Sequence, residues 1–283
     1  MKRHKITLIL LFFTFNLVFS ANPDVEPILE ALFNKSKEIS GLEMDLLIQE
    51  RIDGEMVKSK NFIKYNSNPV QVYIKQYYIK EGMEILYNSL EENSKALVYT
   101  NAFPWITVSL DPLGNLMRKE SHHSIFKSGF EFVIGLLQNA VSLYEGKLDE
   151  ICTYQGLVKY DGRICYKLQL EMPMFDFIDY KVLPGETMES LSHKLKVNDY
   201  MILERNPQLK NFQDIEPGDV IKVPNAYAKS ITLYIEKERN IIAGVKIYDD
   251  KGLFEDYVYQ DVIINPAFTK LDFSTENPEY NVK

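Results

Sequence analysis

Residues 180–224 read YKVLPGETMESLSHKLKVNDYMILERNPQLKNFQDIEPGDVIKVP and contain the pattern of a complete small folding unit. Tyr180 and Val182 alternate as strand residues do, and Pro184-Gly185 turns the chain. Thr187 is placed to cap a first helix whose core side carries Met188 and Leu191. Asn198 is placed to cap a second, with Val197 before it and Ile202 four positions in as a hydrophobic staple. Pro207 ends that helix, because proline disfavours helical geometry in the residue before it. Val220 to Val223 form a second strand, stopped by Pro224. So small a strand–helix–helix–strand unit, with no cysteine of its own, buries little apolar area and has little stability to spare.

The stretch resembles the lysin motif (LysM) in four ordered elements. These are Tyr180-Lys-Val182, Gly185-Glu186-Thr187-Met188, Asn206-Pro207-x-Leu209 and the closing Pro217-Gly218-Asp219-Val220-Ile221-Lys222-Val223-Pro224. Glu186 and Met188 depart mildly from the usual Asp and Leu. The resemblance implies a βααβ domain over residues 179–225 that binds N-acetylglucosamine-containing glycan, peptidoglycan or chitin-like, in a shallow groove. Transferred by motif, the binding surface falls on Gly185, Glu186, Thr187, Met188, Asn206, Pro207 and Leu209. Backbone groups there would bond acetamido and hydroxyl groups, and Met188 and Leu209 would pack on the acetyl methyl. One such groove binds weakly, so retention needs a polymeric ligand.

Residues 1–20 read as a secretory leader: Lys2, Arg3 and Lys5, an apolar run from Ile6 to Val18, then Ser20 before Ala21. The run is short for a bilayer span, so the processed chain is expected not to cross a membrane. Export points to the periplasm or cell envelope. The formal charge of −8 becomes about −11 once a leader with three basic residues and no acid is removed, which argues against nucleic acid or anionic membrane as partner. The two cysteines, Cys152 and Cys165, fall in one hairpin turned at Asp161-Gly162. In that register Val158 faces Cys165 and Cys152 faces Glu171, too far for a disulfide unless the hairpin is bulged or Cys152 precedes the strand.

The rest reads as one β-rich domain, 21–178 and 226–283, interrupted by the 179–225 unit. A helix starts at Asp24 and Pro27 and stops at Gly41, with Val25, Ile28, Leu29, Leu32, Phe33 and Ile39 on its apolar face. Alternating runs follow at hairpin spacing: Met44/Leu46/Ile48, Phe62/Tyr65, Val70/Val72/Ile74, Ile85/Tyr87 and Leu97/Tyr99, an antiparallel meander. A second helix is expected from Ser124 to Tyr144, with a wide apolar face. The meander resumes with Ile231/Leu233/Ile235, Val245/Ile247 and Leu253 to Tyr259. Loop tips tolerate insertions whose ends lie close together, so a short Gly/Ser bridge is expected to let the host fold without the unit.

The runs Lys95-Ala-Leu-Val-Tyr99, Phe103-Pro-Trp105, Ser109-Leu-Asp-Pro-Leu-Gly114, Met117-Arg118 and His122-His123, with the tail from Tyr248 to Asn277, resemble an uncharacterised family of exported bacterial domains. That family is similar in turn to the LolA-like lipoprotein carriers. The fold class implied is α+β, an antiparallel half-open β-barrel with packed helices, in some members enclosing an apolar cavity for lipid or lipoprotein.

Signatures of catalysis are sparse. There is no H-E-x-x-H, G-x-S-x-G or phosphate-binding glycine loop. Ser124-Ile-Phe-Lys127 matches S-x-x-K without its companion motifs, and a serine there reads as a helix cap. His122-His123 could hold metal or serve as an acid–base pair, but adjacent side chains point apart in regular structure, which favours loop or helix-start residues. Phe103, Trp105 and Ile106 read first as core and second as a cavity mouth. Asp111 to Gly114 reads as a turn with Gly114 at a permissive position. The expectation is a non-enzymatic envelope protein without cofactor. A structural or regulatory partner in an envelope complex is the alternative, ahead of a LysM-targeted cell-wall hydrolase.

Overall fold

A computed structural model describes residues 25–91, 93–144 and 148–283; the leader read from residues 1–20 lies outside them. Helix α1 (Val25–Ser36) leads into a six-strand meander: β1 (Gly41–Ile52), β2 (Glu55–Ser67), β3 (Val70–Tyr78), β4 (Glu84–Asn88), β5 (Ala96–Tyr99) and β6 (Thr107–Leu110). A short helix α2 (Asn115–Arg118) and a 3-10 turn (Ile125–Lys127) precede α3 (Phe130–Leu143) and α4 (Leu148–Ile151). The hairpin β7 (Cys152–Tyr160) and β8 (Arg163–Glu171) follows. Then come β9 (Phe177–Lys181), α5 (Met188–Leu195), α6 (Asp199–Arg205) and β10 (Val220–Pro224), and finally β11 (Ser230–Glu236), β12 (Ile241–Asp249) and β13 (Gly252–Ile264).

Eleven strands form one antiparallel sheet in the order β6-β5-β4-β3-β2-β1-β13-β12-β11-β8-β7. It is α+β and open, since the end strands β6 and β7 do not pair with each other. Strand β1 joins the halves, pairing β2 on one edge and β13 on the other. Helices α1 and α3 pack together, and their buried faces share one core with the sheet. A second cluster lies on the opposite face of the meander, where the C-terminal tail seats Phe273, Tyr280 and Val282 against Tyr73 and Leu86. There Tyr280 stacks on Tyr73 at 3.8 Å, and Glu84 accepts the Asn281 and Val282 N–H groups at 2.7 and 3.0 Å.

Three local expectations are corrected. The second helix begins at Phe130, not Ser124, because the chain kinks at Gly129, where a Cβ would lie 2.5 Å from the Tyr65 ring. The hairpin keeps Val158 opposite Cys165, but a bulge between Tyr154 and Leu157 moves Cys152 opposite Leu170, and both cysteines are free and buried. Gly114 ends its turn with an ordinary φ of −71°, so what matters is space: a Cβ there would meet Asp111 at 3.1 Å.

The interrupting unit is built as strand, helix, helix, strand. Strands β9 and β10 pair antiparallel with Tyr180 opposite Ile221. Thr187 caps α5 in a capping box with Ser190, and the Asn198 side chain accepts from the Tyr200 and Met201 N–H groups to cap α6. The unit leaves and rejoins the host at the tip of the β8–β11 pair, where Met172 N–H donates to Lys229 at 2.8 Å.

Candidate functional site

Period-two alternation puts one aliphatic residue from each of four neighbouring strands in a cross-strand row, Ile63–Ile74–Ile85–Val98. This row lines a cavity of about 430 Å³, partly open to solvent, together with Met117, Ile125, Phe132, Val133, Tyr257 and Tyr259. The floor is aliphatic, but the lining as a whole is mixed: Glu50, Asn61, Gln76, Lys80, His123, Ser124 and Lys127 are among many polar side chains that share it with the aliphatic and aromatic ones. Ligand pockets of this kind take apolar bodies and orient them with a few polar groups.

Behind the cavity lies a buried ionic network. His122 is fully buried; its Nδ1 is 2.8 Å from Glu255 Oε1 and its Nε2 2.9 Å from the Arg51 carbonyl. Two acceptors require both ring nitrogens to donate, so the ring is an imidazolium. Burial pulls its pKa down, but Glu50, Glu255 and the Arg51 carbonyl outweigh that and raise it. Glu255 is likewise pushed up by burial, yet His123 and His122 hold it well below the usual carboxylate range. His123 Nε2 reaches the same Glu255 oxygen at 3.0 Å and Tyr227 Oη at 3.3 Å. The two histidines therefore converge on one carboxylate rather than pointing apart, because they lie in irregular chain between α2 and the 3-10 turn.

Glu50, His122 and Glu255 bring their ligand atoms within 4.8 Å of one another, close enough to suggest a metal centre. The donors are already committed. Glu50 accepts from the Tyr257 hydroxyl and from His122 N–H, and His122 has no free lone pair to offer. The cluster is an internal salt bridge. The S-x-x-K pair is not joined either. Ser124 Oγ is buried without a partner, and Lys127 Nζ lies 3.7 Å from Asp199 and 5.1 Å from the Phe132 ring centre.

Helix α6 completes this network from outside the host. Asn198 Nδ2 donates to Glu255 at 2.7 Å and to Tyr227 at 3.0 Å. Asp199 receives Arg118 at 3.0 Å, Glu204 receives Arg51 at 3.1 Å, and Tyr200 stacks on His122 at 4.3 Å. These contacts bear on the expectation that the host folds without the unit, which a bridged host would test. The unit's second helix supplies counter-charges and hydrogen bonds to the host interior.

The motif-derived glycan residues divide into two groups. Gly185 is exposed at φ +82°, and Thr187 and Pro207 are exposed. Glu186 accepts from Tyr180 Oη at 2.8 Å, Lys194 Nζ at 2.9 Å and Leu183 N–H at 2.9 Å. Those bonds hold its pKa down to about 2, Lys194 contributing most. Met188 and Leu209 are buried, at 1% and 8% exposure, so neither side chain stands free to pack on an acetyl methyl, which corrects that expectation. Asn206 is also buried and ties α6 to β10, donating to Ile202 and Lys222 carbonyls and accepting Lys222 N–H at 2.8 Å. No hydrogen bond among the described residues joins 185–188 to 206–209. Phe103, Trp105 and Ile106, read first as core, are 82%, 60% and 50% exposed.

Fold and site together define an α+β protein whose open antiparallel sheet and helices border a partly open cavity with an aliphatic floor, backed by a histidine–carboxylate network. The chain belongs to the DUF1571 family, described as proteins of unknown function, which matches residues 39–177 and 204–282. The gap in that match covers β9 after Phe177 and all of α5 and ends within α6, narrower than the 179–225 unit. Among solved structures, the chain is similar to LprF from Mycobacterium bovis, at 13% identity and TM-score 0.42 over 88% of this chain and 97% of that one. It is similar to the Mycobacterium tuberculosis lipoprotein LppX at 12% and 0.41, over 88% and 99%. A LolA superfamily protein from Nitrosomonas europaea matches at 9% and 0.33, over 88% and 96%. No curated protein matches the chain significantly in sequence.

Proposed function

We propose that this is an exported cell-envelope protein whose β-domain accommodates the acyl chain of a lipid or lipoprotein, and whose 179–225 unit is a LysM domain holding it on peptidoglycan-type glycan. The observation that carries the first half is the cavity of about 430 Å³ with its continuous aliphatic floor. A partly open pocket of this size over an apolar row fits a bound apolar group, oriented by the polar side chains around it. On this reading the chain binds rather than reacts: His122, His123 and Glu255 are engaged with one another in the salt-bridge network. No helix among them is long and apolar enough to cross a membrane. Native mass spectrometry of protein purified from its own envelope tests the reading, with a co-purifying lipid or lipopeptide expected; protein that is always free of such ligands would refute it.

The LysM half rests on four ordered sequence elements and on the strand–helix–helix–strand arrangement. Gly185 has open space around it but a left-handed backbone, so Gly185→Val strains the loop without a core clash. Co-sedimentation with insoluble peptidoglycan is expected for the wild type and reduced for Gly185→Val. Retention unaffected by that variant would place the contact elsewhere, and no retention of the wild type would remove the glycan reading.

A further inference from the structure

The loop Thr100–Ile106, between β5 and β6, carries three exposed apolar side chains: Phe103 at 82%, Trp105 at 60% and Ile106 at 50%. Between Tyr99 and Thr107 there is no acidic or basic residue in a chain that is otherwise a quarter charged. Phe103 and Trp105 pack edge to face at 5.5 Å, so the tip presents one aromatic surface. The loop does not hang free. Asn101 Nδ2 donates to the Glu81 carbonyl at 2.9 Å, fastening it to the 79–83 loop between β3 and β4. Ile79, Lys80 and Met83 of that second loop line the cavity, as does Leu116, which is 77% exposed. Lys80 is neutralised at the same rim by Glu120, 2.7 Å away. Exposed apolar side chains thus stand beside the cavity opening on an uncharged, anchored tip.

We propose that this tip docks the protein on the interfacial zone of a phospholipid bilayer, with the cavity mouth facing the lipid. Trp and Phe suit that zone, where an apolar ring body and a polar edge are both accommodated. An uncharged tip enters it without stripping water from an ion. The chain's formal charge of −8 is wrong for attraction to an acidic surface, so docking is carried by apolar burial and works on zwitterionic lipid. Docking goes beyond the cavity reading and stands whether or not the cavity holds an acyl chain.

Trp105 is the only tryptophan in the chain, so its fluorescence reports this loop directly. Titration with phosphatidylcholine vesicles is expected to shift the emission to the blue, and brominated acyl chains are expected to quench it. The double variant F103S/I106S keeps the reporter and removes two inserting side chains. Its vesicle affinity is expected to fall by tenfold or more, about what partial burial of two such groups supplies, with its melting transition unchanged. Unchanged wild-type emission at saturating vesicle overturns the proposal, and needs no variant. Full vesicle binding by F103S/I106S overturns it as well. A blue shift that grows with protein concentration in the absence of vesicles would make a second copy the occupant, which also overturns it.

Discussion

Glu255 carries more of the interior's electrostatics than any single motif residue. Four groups bond its two oxygens: His122, His123, Asn198 and Tyr227. A charge this buried is tolerable only because it is paired. Glu255→Gln leaves the His122 imidazolium without its carboxylate, and the expected loss is about 3–5 kcal/mol in urea unfolding. The pH dependence follows from the same pair. His122 has its folded pKa raised above the ordinary 6.5, so its contribution is complete below that value and is lost as pH rises through the raised one. Glu255 is depressed below 4.5, so its contribution is present above that value and is lost as pH falls through the depressed one. Melting temperature is therefore expected to hold through mildly acid pH and to decline on the alkaline side. In His122→Gln the alkaline decline is expected to flatten; an identical slope would show that another group controls it.

At the scale of elements, α6 is the link between the two parts of the chain. Asn198 caps it and at the same time bonds Glu255 and Tyr227. Asn198→Ala is expected to cost about 1 kcal/mol for the cap and a further 1–3 kcal/mol, roughly, for the buried acceptors left short of a donor. Replacing 179–225 by a Gly/Ser bridge removes Asn198 from Glu255, Asp199 from Arg118 and Glu204 from Arg51 together. The expected product is a destabilised host with an early, broad melting transition, measured by circular dichroism. A bridged host as stable as the full chain would show that these contacts add nothing. Replacing Asn206 has a related consequence, since its side chain holds α6 to β10 and its loss is expected to register as instability before it registers in glycan binding.

At the scale of the molecule, the sheet's register creates the cavity. Ile63, Ile74, Ile85 and Val98 fall in one row because each pairing is in step, and a one-residue slip in any strand would turn its member to the other face. Val98→Trp places a large ring over that row. The expected cost is about 1–3 kcal/mol of overpacking, together with loss of any lipid that co-purifies with the wild type. A folded Val98→Trp protein that retains a full complement of lipid would show that the ligand sits elsewhere.

The helix caps at Thr187 and Asn198, the turn at Asp161-Gly162, and the order of the meander are all legible in the sequence. Each depends on neighbours a few residues apart, on capping geometry or on period-two alternation. The strand containing Phe62 and Tyr65 was legible as a strand but not in its facing. The two lie three residues apart on opposite faces, so Tyr65 enters the main core while Phe62 packs under the C-terminal tail. Nothing local in Glu50, His122, Glu255 or Asn198 announces that they meet, because they come from β1, a loop, β13 and the cap of α6. Exposure of Trp105 is equally non-local, since aromatic residues read as core until the loop's place in the fold is known. By itself the sequence determined which elements form, in what order, and that a βααβ unit interrupts a β-domain, because hydrogen-bond caps and side-chain periodicity act along the chain. Tertiary structure alone decided the cavity, the shared carboxylate and the fastening of the unit to its host, because burial and charge pairing act between groups that only folding brings together.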